Sequence, residues 1–372
     1  MRILLLGEYS NVHHNLSVGL KQLGHDVTVA SDGDGWKNYE RDIDLKRKGT
    51  GKLSTLRYLF EVHRRFAQFK DYDVVQIINP VFLSLKAERM WYYYRKLRRN
   101  NRSVFMGAFG MDHYYVKACL DTSTFRYSDF NLGEEIRQST DNDIWIADWL
   151  KGEKGRLNQY VAQDCDGIIA GLYEYYVSYA KEFSDKLIYV PFPIECSKEE
   201  QKNILHNIDG PIRFFIGIQK TRNKYKGTDV MLRALERVKA DYPTQCEAIK
   251  VESVPFHQYM ELMQGSHVIL DQLYSYTPAM YALEAMKLGL IVVGGGEPDY
   301  YDFIGDNQLR PVVNVEPNEE SVYQALKQLV LHPQMVEDLS VKSRQFISYY
   351  HDCKKVAQQY LAFWESKKTN NG

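Results

Sequence analysis

The chain has little that would staple it covalently or hold it in a membrane. Its 372 residues include only five cysteines, Cys119, Cys165, Cys196, Cys246 and Cys353, which are widely scattered and form no C-x-x-C pair. That pattern argues against a zinc ribbon or a disulfide framework and fits reduced thiols in a cytoplasm. No apolar run approaches the ~18 residues of a membrane span. The opening Met1-Arg-Ile-Leu-Leu-Leu-Gly meets a charge at Glu8, too soon for a signal peptide, and reads as a first buried strand. An excess of one charge is also missing: 47 Lys and Arg against 48 Asp and Glu leave a net charge of −1. No global field therefore draws the protein to nucleic acid or lipid, and any polyanion contact is local. Internal repeats and low-complexity tracts are absent too, apart from a polar tail over 366–372.

What is present is 44% hydrophobic and 26% charged, the balance of an ordinary globular protein. The length favours two domains, each with its own core. Short apolar runs alternate with helix-length amphipathic segments, the signature of parallel sheets with crossover helices. Strands are expected over 3–6, 26–30, 74–78, 103–106 and 167–170. Helices are expected over 12–23, 53–69 and 86–99, the second with a core stripe of Leu56, Leu59, Phe60 and Phe66. Between Gly110 and Gln163 this rhythm lapses, and so long a connection is functional or carries short helices of its own. Val190-Pro-Phe-Pro-Ile-Glu195 and the polar stretch after it read as a domain boundary. A second series follows, with strands over 212–217, 268–271 and 290–293, and helices over 228–239, 278–288 and from Glu319 almost to the end.

Two segments of the second half suit a bound anion. Thr277-Pro278-Ala279 places an N-cap and a proline at the start of a helix, whose free N–H groups and dipole can hold a diphosphate. Glu284, two turns on with Leu288 rather than a cation at i+4, either accepts from ribose hydroxyls or is a solvated helix residue. Upstream, Gly217-Ile-Gln-Lys220-Thr-Arg222-Asn-Lys224-Tyr-Lys226-Gly227 is a basic loop after a strand. Lys220, Arg222 and Lys226 there can neutralise a diphosphate, unless the loop is simply an exposed charge run. Asp32-Gly-Asp34 has the form of a metal-binding D-x-D. That pattern recurs four more times in the chain, so it reads as a loop.

In this order the segments resemble the retaining, GT-4-like (group 1) glycosyltransferases, over nearly the whole chain. Lys226-Gly227 matches the end of that family's basic loop. Leu283-Glu284-Ala-Met with Gly289 matches the helix of the second glutamate of its E-x7-E segment, and Asp271-Gln272-Leu273 is similar to a D-Q-L found in a subgroup. In the first half the likeness rests on Gly7, on Leu20…Leu23-Gly-His25-Asp-Val-Thr-Val29, on Asp73-Val-Val-Gln76, on Gly110-Met-Asp112 and on Asp166-Gly-Ile-Ile169. The resemblance implies an α/β protein of GT-B architecture, two Rossmann-like domains facing a cleft, with C-terminal helices packing back toward the N-terminal domain. It implies an acceptor-side domain over 1–195 and a nucleotide-sugar domain over 196–372. The implied reaction moves a sugar from a nucleoside diphosphate to a saccharide or lipid-linked saccharide with retention, in surface polysaccharide or glycan biosynthesis, without cofactor or metal. The donor would meet Gly7, Lys220, Arg222, Lys226, Thr277, Pro278, Ala279 and Glu284. Asp112 and His113 become the polar groups of the N-terminal side, with a turn residue as the other reading of Asp112. Tyr127 and Trp145, in the aromatic stretch 121–149, would line the acceptor side.

Three departures stand against the pattern. The first glutamate of E-x7-E falls on Tyr276, the histidine often found three residues before Asp112 is Phe109, and the loop arginine has two competing matches, Lys220 and Arg222. Tyr276 leaves open a second function, a catalytically silent sugar-nucleotide-binding or scaffold protein. An epimerase of this architecture would need further carboxylates in the site. The basic, aromatic segment 86–99 reads either as a core-facing helix with a charged side or as a peripheral contact with the inner face of a membrane.

Overall fold

The computed structural model describes residues 1–196, 208–218, 223–252, 254 and 256–368. By packing, the chain divides into two compact units. Met1–Ala118, Asn142–Glu195 and the segment from Cys353 onward form the first, and Cys119–Asp141 with Cys196–Asp352 the second. A single boundary after residue 195 thus accounts for one crossing of four. The chain also leaves the first unit after Ala118, re-enters it at Asn142, and returns to it at Cys353.

In the first unit β1 (Arg2–Leu6), β2 (Asp26–Ser31), β3 (Ile43–Asp44), β4 (Val74–Ile77) and β5 (Val104–Ala108) follow one another. A short hairpin, β6 (Asn131–Leu132) and β7 (Glu135–Ile136), then belongs to the other unit. β8 (Gly167–Ala170) and β9 (Leu187–Tyr189) complete a parallel sheet of order β3-β2-β1-β4-β5-β8-β9. Ile3 to Leu6 and Val104 to Ala108 are buried on both faces, as strands covered by helices on either side must be. The chain winds outward from β1 to β3 and then returns to pair β4 with β1 on its other side. The strand order therefore reverses between β1 and β4, the place where such sheets open a crevice at their carboxyl ends.

The first unit's helices are α1 (Val12–Gln22), α2 (Lys52–Phe66), α3 (Ala87–Asn100), α4 (His113–Leu120), α5 (Thr140–Ile146), α6 (Glu153–Asp164) and α7 (Tyr173–Phe183), α4 and α5 lying where the chain crosses. One of them, α2, differs from expectation. In α2 the buried residues are Tyr58, Val62 and Phe66, whereas Leu56 and Phe60, expected in the core stripe, are exposed together with Leu53. The two apolar stripes lie on opposite sides of one helix, so periodicity alone could not say which is covered. In α3, Met90, Tyr93, Tyr94 and Leu97 are buried. Trp91 Nε1 donates to Glu153 Oε1 (2.7 Å), and Arg98 pairs with Asp164 (2.9 Å) and Asp166 (2.5 Å). Much of its basic and aromatic side is thus spent on α6 and the turn after it.

The second unit continues with α8 (Asn223–Lys226), α9 (Thr228–Asp241), α10 (Phe256–Gln264), α11 (Met280–Lys287), α12 (Pro298–Phe303), α13 (Glu319–Leu331) and α14 (Pro333–Phe346). Its strands β10 (Ile212–Ile218), β11 (Cys246–Glu252), β12 (Val268–Leu270), β13 (Ile291–Gly294) and β14 (Val313–Asn314) form a parallel sheet of order β11-β10-β12-β13-β14. Here the order reverses between β10 and β12. Met231, Leu235 and Val238 of α9 join Phe214, Ile216 and Leu270 in one core. After a π-helical turn over Ile347–His351, α15 (Cys353–Lys368) packs against α1 in the first unit. The approach is close: a Cβ on Gly19 would lie 2.0 Å from the Cys353 carbonyl oxygen.

Candidate functional site

At the switch point of the second unit, β10 leads into the basic loop and β12 into Asp271. Lys220 and Arg222 lie outside the described residues; Lys226 is at the end of α8. The Lys226 carbonyl accepts from Leu273 N (3.0 Å), and Gly227 behind it adopts φ +71°. A Cβ at Gly227 would come within 2.6 Å of Leu273, so this glycine is required both by conformation and by space. Burial raises the Asp271 carboxyl above its ordinary range, and the charge of Lys226 opposes that rise. The ammonium also lies 6.0 Å from the centre of the Tyr281 ring on α11. One cation, one half-buried carboxylate and the start of a helix thus meet at the carboxyl end of the sheet.

That helix begins later than its sequence suggests. Ala279, extended at φ −89° and ψ 179°, is the N-cap of α11 and no side chain caps it. Thr277 and Pro278 are buried before it, so Thr277 is not the cap and Pro278 is not the first helical residue. Glu284 is half-buried two turns inward and meets Lys287 at 3.1 Å. The absent i+4 cation is therefore replaced by one at i+3. The three glycines after β13 pack tightly: a Cβ at Gly295 would meet the Ser275 carbonyl at 2.2 Å, and one at Gly296 would meet Val312 at 2.7 Å.

Tyr276, in the place of the family's first glutamate, points elsewhere. Its hydroxyl accepts from Arg126 N (2.8 Å), and its ring packs beside Tyr127 (5.0 Å between centres) and Phe125 (5.7 Å). Arg126 continues to Glu297 (2.5 Å) and Asp299 (3.0 Å). Glu297 is buried, and it also accepts from the Tyr127 hydroxyl and from Asn314 Nδ2 (2.9 Å). The segment 119–141 is thus a strap fastened onto the second unit. Tyr127, expected to line the acceptor side, is buried within it, whereas Trp145, half-buried with Lys154 Nζ 5.9 Å from its ring, is in the first unit. The structure does not bring these two together as one surface of one unit.

In the first unit the turn after β1 is already filled. Gly7 has φ +86°, and a Cβ there would lie 2.3 Å from Ile78. The amides of His13 and His14, at the start of α1, donate to the two oxygens of the buried Glu8 at 3.2 and 2.9 Å. That carboxylate sits where a phosphate would bind a helix N-terminus, which argues against Gly7 as a donor contact. Burial pushes Glu8 up to about 8, against the two amides that favour its charge. His13 is buried with Nδ1 2.8 Å from the Gly7 carbonyl oxygen, and burial depresses it to about 3. Its Nε2 has no hydrogen-bond partner.

Asp112 and His113 take different parts. Asp112 is fully buried, accepts from Tyr115 N (2.9 Å) and the Tyr179 hydroxyl (2.8 Å), and is raised to about 6 by burial. It starts and anchors α4, the turn role weighed for it, and has no free face for a sugar. His113 is half-buried beside it, its amide donating to Asn158 Oδ1 (2.9 Å) and its Nδ1 placed 2.9 Å from the Trp149 carbonyl. A carbonyl partner requires a proton on Nδ1, and in the neutral ring Nε2 is then an acceptor. Asp34 of the D-x-D pairs with Lys37 (2.6 Å) and accepts from Ser10 N (2.9 Å), as a loop residue does.

Read as sequence, Glu8 and Glu297 receive no role, and Arg126 stands in the stretch 121–149 without its partner. A glutamate two residues after a strand and four residues before a helix start is a legible capping signal. Glu297 and Arg126 are far apart in the chain, and nothing local joins them.

By sequence, no family and no curated protein matches this chain. By structure, Anabaena HepE in complex with UDP and glucose is similar over 98% of this chain and all of its own, with a TM-score of 0.59 at 12% identity. The sucrose-phosphate synthase of Thermosynechococcus elongatus is similar over 98% of this chain and 99% of its own, with a TM-score of 0.61 at 12% identity. The UDP-GlcNAc 2-epimerase of Neisseria meningitidis, bound to UDP-GlcNAc, is similar over 97% of this chain and 99% of its own, with a TM-score of 0.54 at 12% identity. The chain therefore has the GT-B fold, two Rossmann-like units.

Proposed function

We propose that this protein is a glycosyltransferase that takes a sugar from a nucleoside-diphosphate donor held by its second unit, with retention and without a metal. The observation that carries this reading is the grouping of Lys226, the half-buried Asp271 and the uncapped start of α11 at the switch point between β10 and β12, with Glu284 two turns along the helix. Such a grouping offers a cation and backbone donors to a diphosphate and a carboxylate to a ribose. HepE, whose fold this chain shares, binds UDP and glucose, which fits the same division of labour. In this reading His113, with Nε2 left as an acceptor, takes the acceptor hydroxyl's proton or orients it. The acceptor is a saccharide or a lipid-linked saccharide, in glycan or surface polysaccharide synthesis. Asp112 acts only by setting the start of α4.

Because an epimerase also shares the fold, the deciding experiment follows the fate of the sugar. Nucleotide sugars are screened by thermal shift, and the one that stabilises the protein is incubated with glycosyl acceptors. Transfer predicts release of nucleoside diphosphate together with a new glycoside of unchanged anomeric configuration, undiminished by EDTA. An epimerised nucleotide sugar with no release would reject the reading, and binding without turnover would favour a silent binding protein. Glu284→Ala should weaken nucleotide binding by about 1–3 kcal/mol, the scale of a lost charged hydrogen bond. An unchanged affinity in the folded variant removes Glu284 from the site.

A further inference from the structure

We infer that Gly155 is a positioning residue for the reaction, because it makes room for the carbonyl that holds the His113 ring with its proton on Nδ1. This rests on the role given to His113 above and adds what fixes that ring.

Helix α5 does not stop at Ile146 but widens into a π-helical turn, Ala147–Lys151, a feature that recurs at functional sites. Gly152 then turns the chain into extended backbone (φ −91°, ψ −178°) before α6 begins. The last carbonyls of a helix have no partners within it. Trp149 carries one of them, and it is met by His113 Nδ1 at 2.9 Å. Two further bonds keep the pieces in register. Lys154 Nζ reaches back to Asp148 (2.6 Å), tying the turn to the start of α6. The His113 amide donates to Asn158 Oδ1 (2.9 Å) on the same helix, so backbone and ring of one histidine are both held. Asn158 is fully buried and donates in turn to the Tyr179 hydroxyl (3.1 Å).

Gly155 and Asn158, three residues apart, share one face of α6. A Cβ on Gly155 would lie 2.0 Å from the Trp149 carbonyl oxygen, 2.8 Å from its carbon and 3.3 Å from His113 Nδ1. The first two are backbone atoms of a residue whose side chain is buried, so no rotamer change relieves the clash. Gly155 is within α6, where alanine is the better helix former. Space, not conformation, therefore requires the glycine. Free histidine in water prefers its proton on Nε2, whereas the Trp149 carbonyl accepts only from a proton on Nδ1. That bond persists when Nε2 takes up a proton, so the ring keeps its aim as its charge changes. A carboxylate does the same behind the histidine of a hydrolytic triad. Among the described residues none bonds to His113 Nε2, and that nitrogen is not one of the buried unpartnered atoms.

The test is read first in the wild-type protein. Nitrogen-15 correlation spectra of the histidine rings, assigned with the help of His113→Gln, should show neutral His113 with its proton on Nδ1. Gly155→Ala should keep its circular dichroism spectrum and its nucleotide affinity, and its His113 ring should move toward the Nε2–H form. Its kcat should fall about 10- to 100-fold, the scale of a reacting group displaced by an ångström. A wild-type ring protonated on Nε2 overturns the inference, and this result needs no variant to fold. A folded Gly155→Ala with wild-type tautomer or wild-type kcat also overturns it. Full activity in His113→Gln is a separate failure: it takes His113 out of the proposed reaction, and the role of Gly155 falls with it whatever the tautomer.

Discussion

Glu8 shows how a single buried side chain ties the chemistry of a turn to its stability. In the unfolded chain it titrates near 4.5, and in the folded protein near 8. The folded state therefore holds the proton more tightly. Its contribution is fully present below about pH 4.5 and is lost as pH rises through 8, because the unfolded state ionises first. His13 works in another window: depressed from 6.5 to about 3, it removes stability as pH falls from about 6.5 toward 3. Glu8→Gln keeps an acceptor for the start of α1 and removes the titration. The variant should accordingly lose less stability than the wild type between pH 5 and pH 8, measured as melting temperature against pH. Parallel curves for the two proteins would show that Glu8 does not hold a proton in the folded state. At this scale the sequence was informative where a residue's partner is local. Gly7, Gly227 and the helix bearing Glu284 could be placed from their neighbours. Asp112 could not, because its burial depends on Tyr179, which reaches it from α7.

Among elements, the strap 119–141 has the most to add. Its inner end is fastened by Arg126, Tyr127 and Glu297, and its outer end grips α8. Arg137 donates to the Lys224 carbonyl (2.8 Å) with its guanidinium 3.4 Å over the Tyr274 ring, and the Tyr225 hydroxyl donates to Asp129 (2.7 Å). The residue that α8 delivers is Lys226. If Lys226 meets a diphosphate, Arg137→Ala should weaken nucleotide binding by about 1 kcal/mol through lost positioning. Arg137→Lys should rescue little, since an ammonium cannot both stack and fork. Isothermal titration beside Lys226→Ala checks this. A loss with Lys226→Ala but none with Arg137→Ala would leave the strap a mere cover. The lapse in strand–helix rhythm after Gly110 was enough to locate this segment. Its attachment was not legible, because Arg126 and Glu297 are 171 residues apart and no periodicity joins such positions. The stripe of α2 failed for a related reason: amphipathicity has a direction only once a neighbour is known.

For the whole molecule, the question is which unit depends on which part of the chain. The proline-flanked stretch ending at Glu195 is a visible boundary because it interrupts both periodicities. The crossings at 118 and 142 fall in or beside helices and the one at 353 between two helical segments, so apolar patterning runs on without a break. The return of α15 has a testable consequence. Trp364 is fully buried, edge-on to Tyr360 at 5.4 Å and set 6.1 Å from Phe105 of β5, while Phe363 leaves no room for a Cβ on Gly167 of β8 (2.8 Å). The last helix therefore completes the core of the first unit, although the sequence delivers it after the second. Trp364→Ala should cost about 3–5 kcal/mol, the range for a buried aromatic emptied to alanine. The loss should be felt in β1, β5 and β8, seen as faster amide exchange over 2–6, 104–108 and 167–170. Exchange in 212–218 and 268–270, and the nucleotide affinity proposed for the second unit, should stay as in the wild type, because each unit buries its own core. Equal acceleration in both sheets would mean that the two units unfold as one, and that α15 supports the whole chain rather than the half it rejoins.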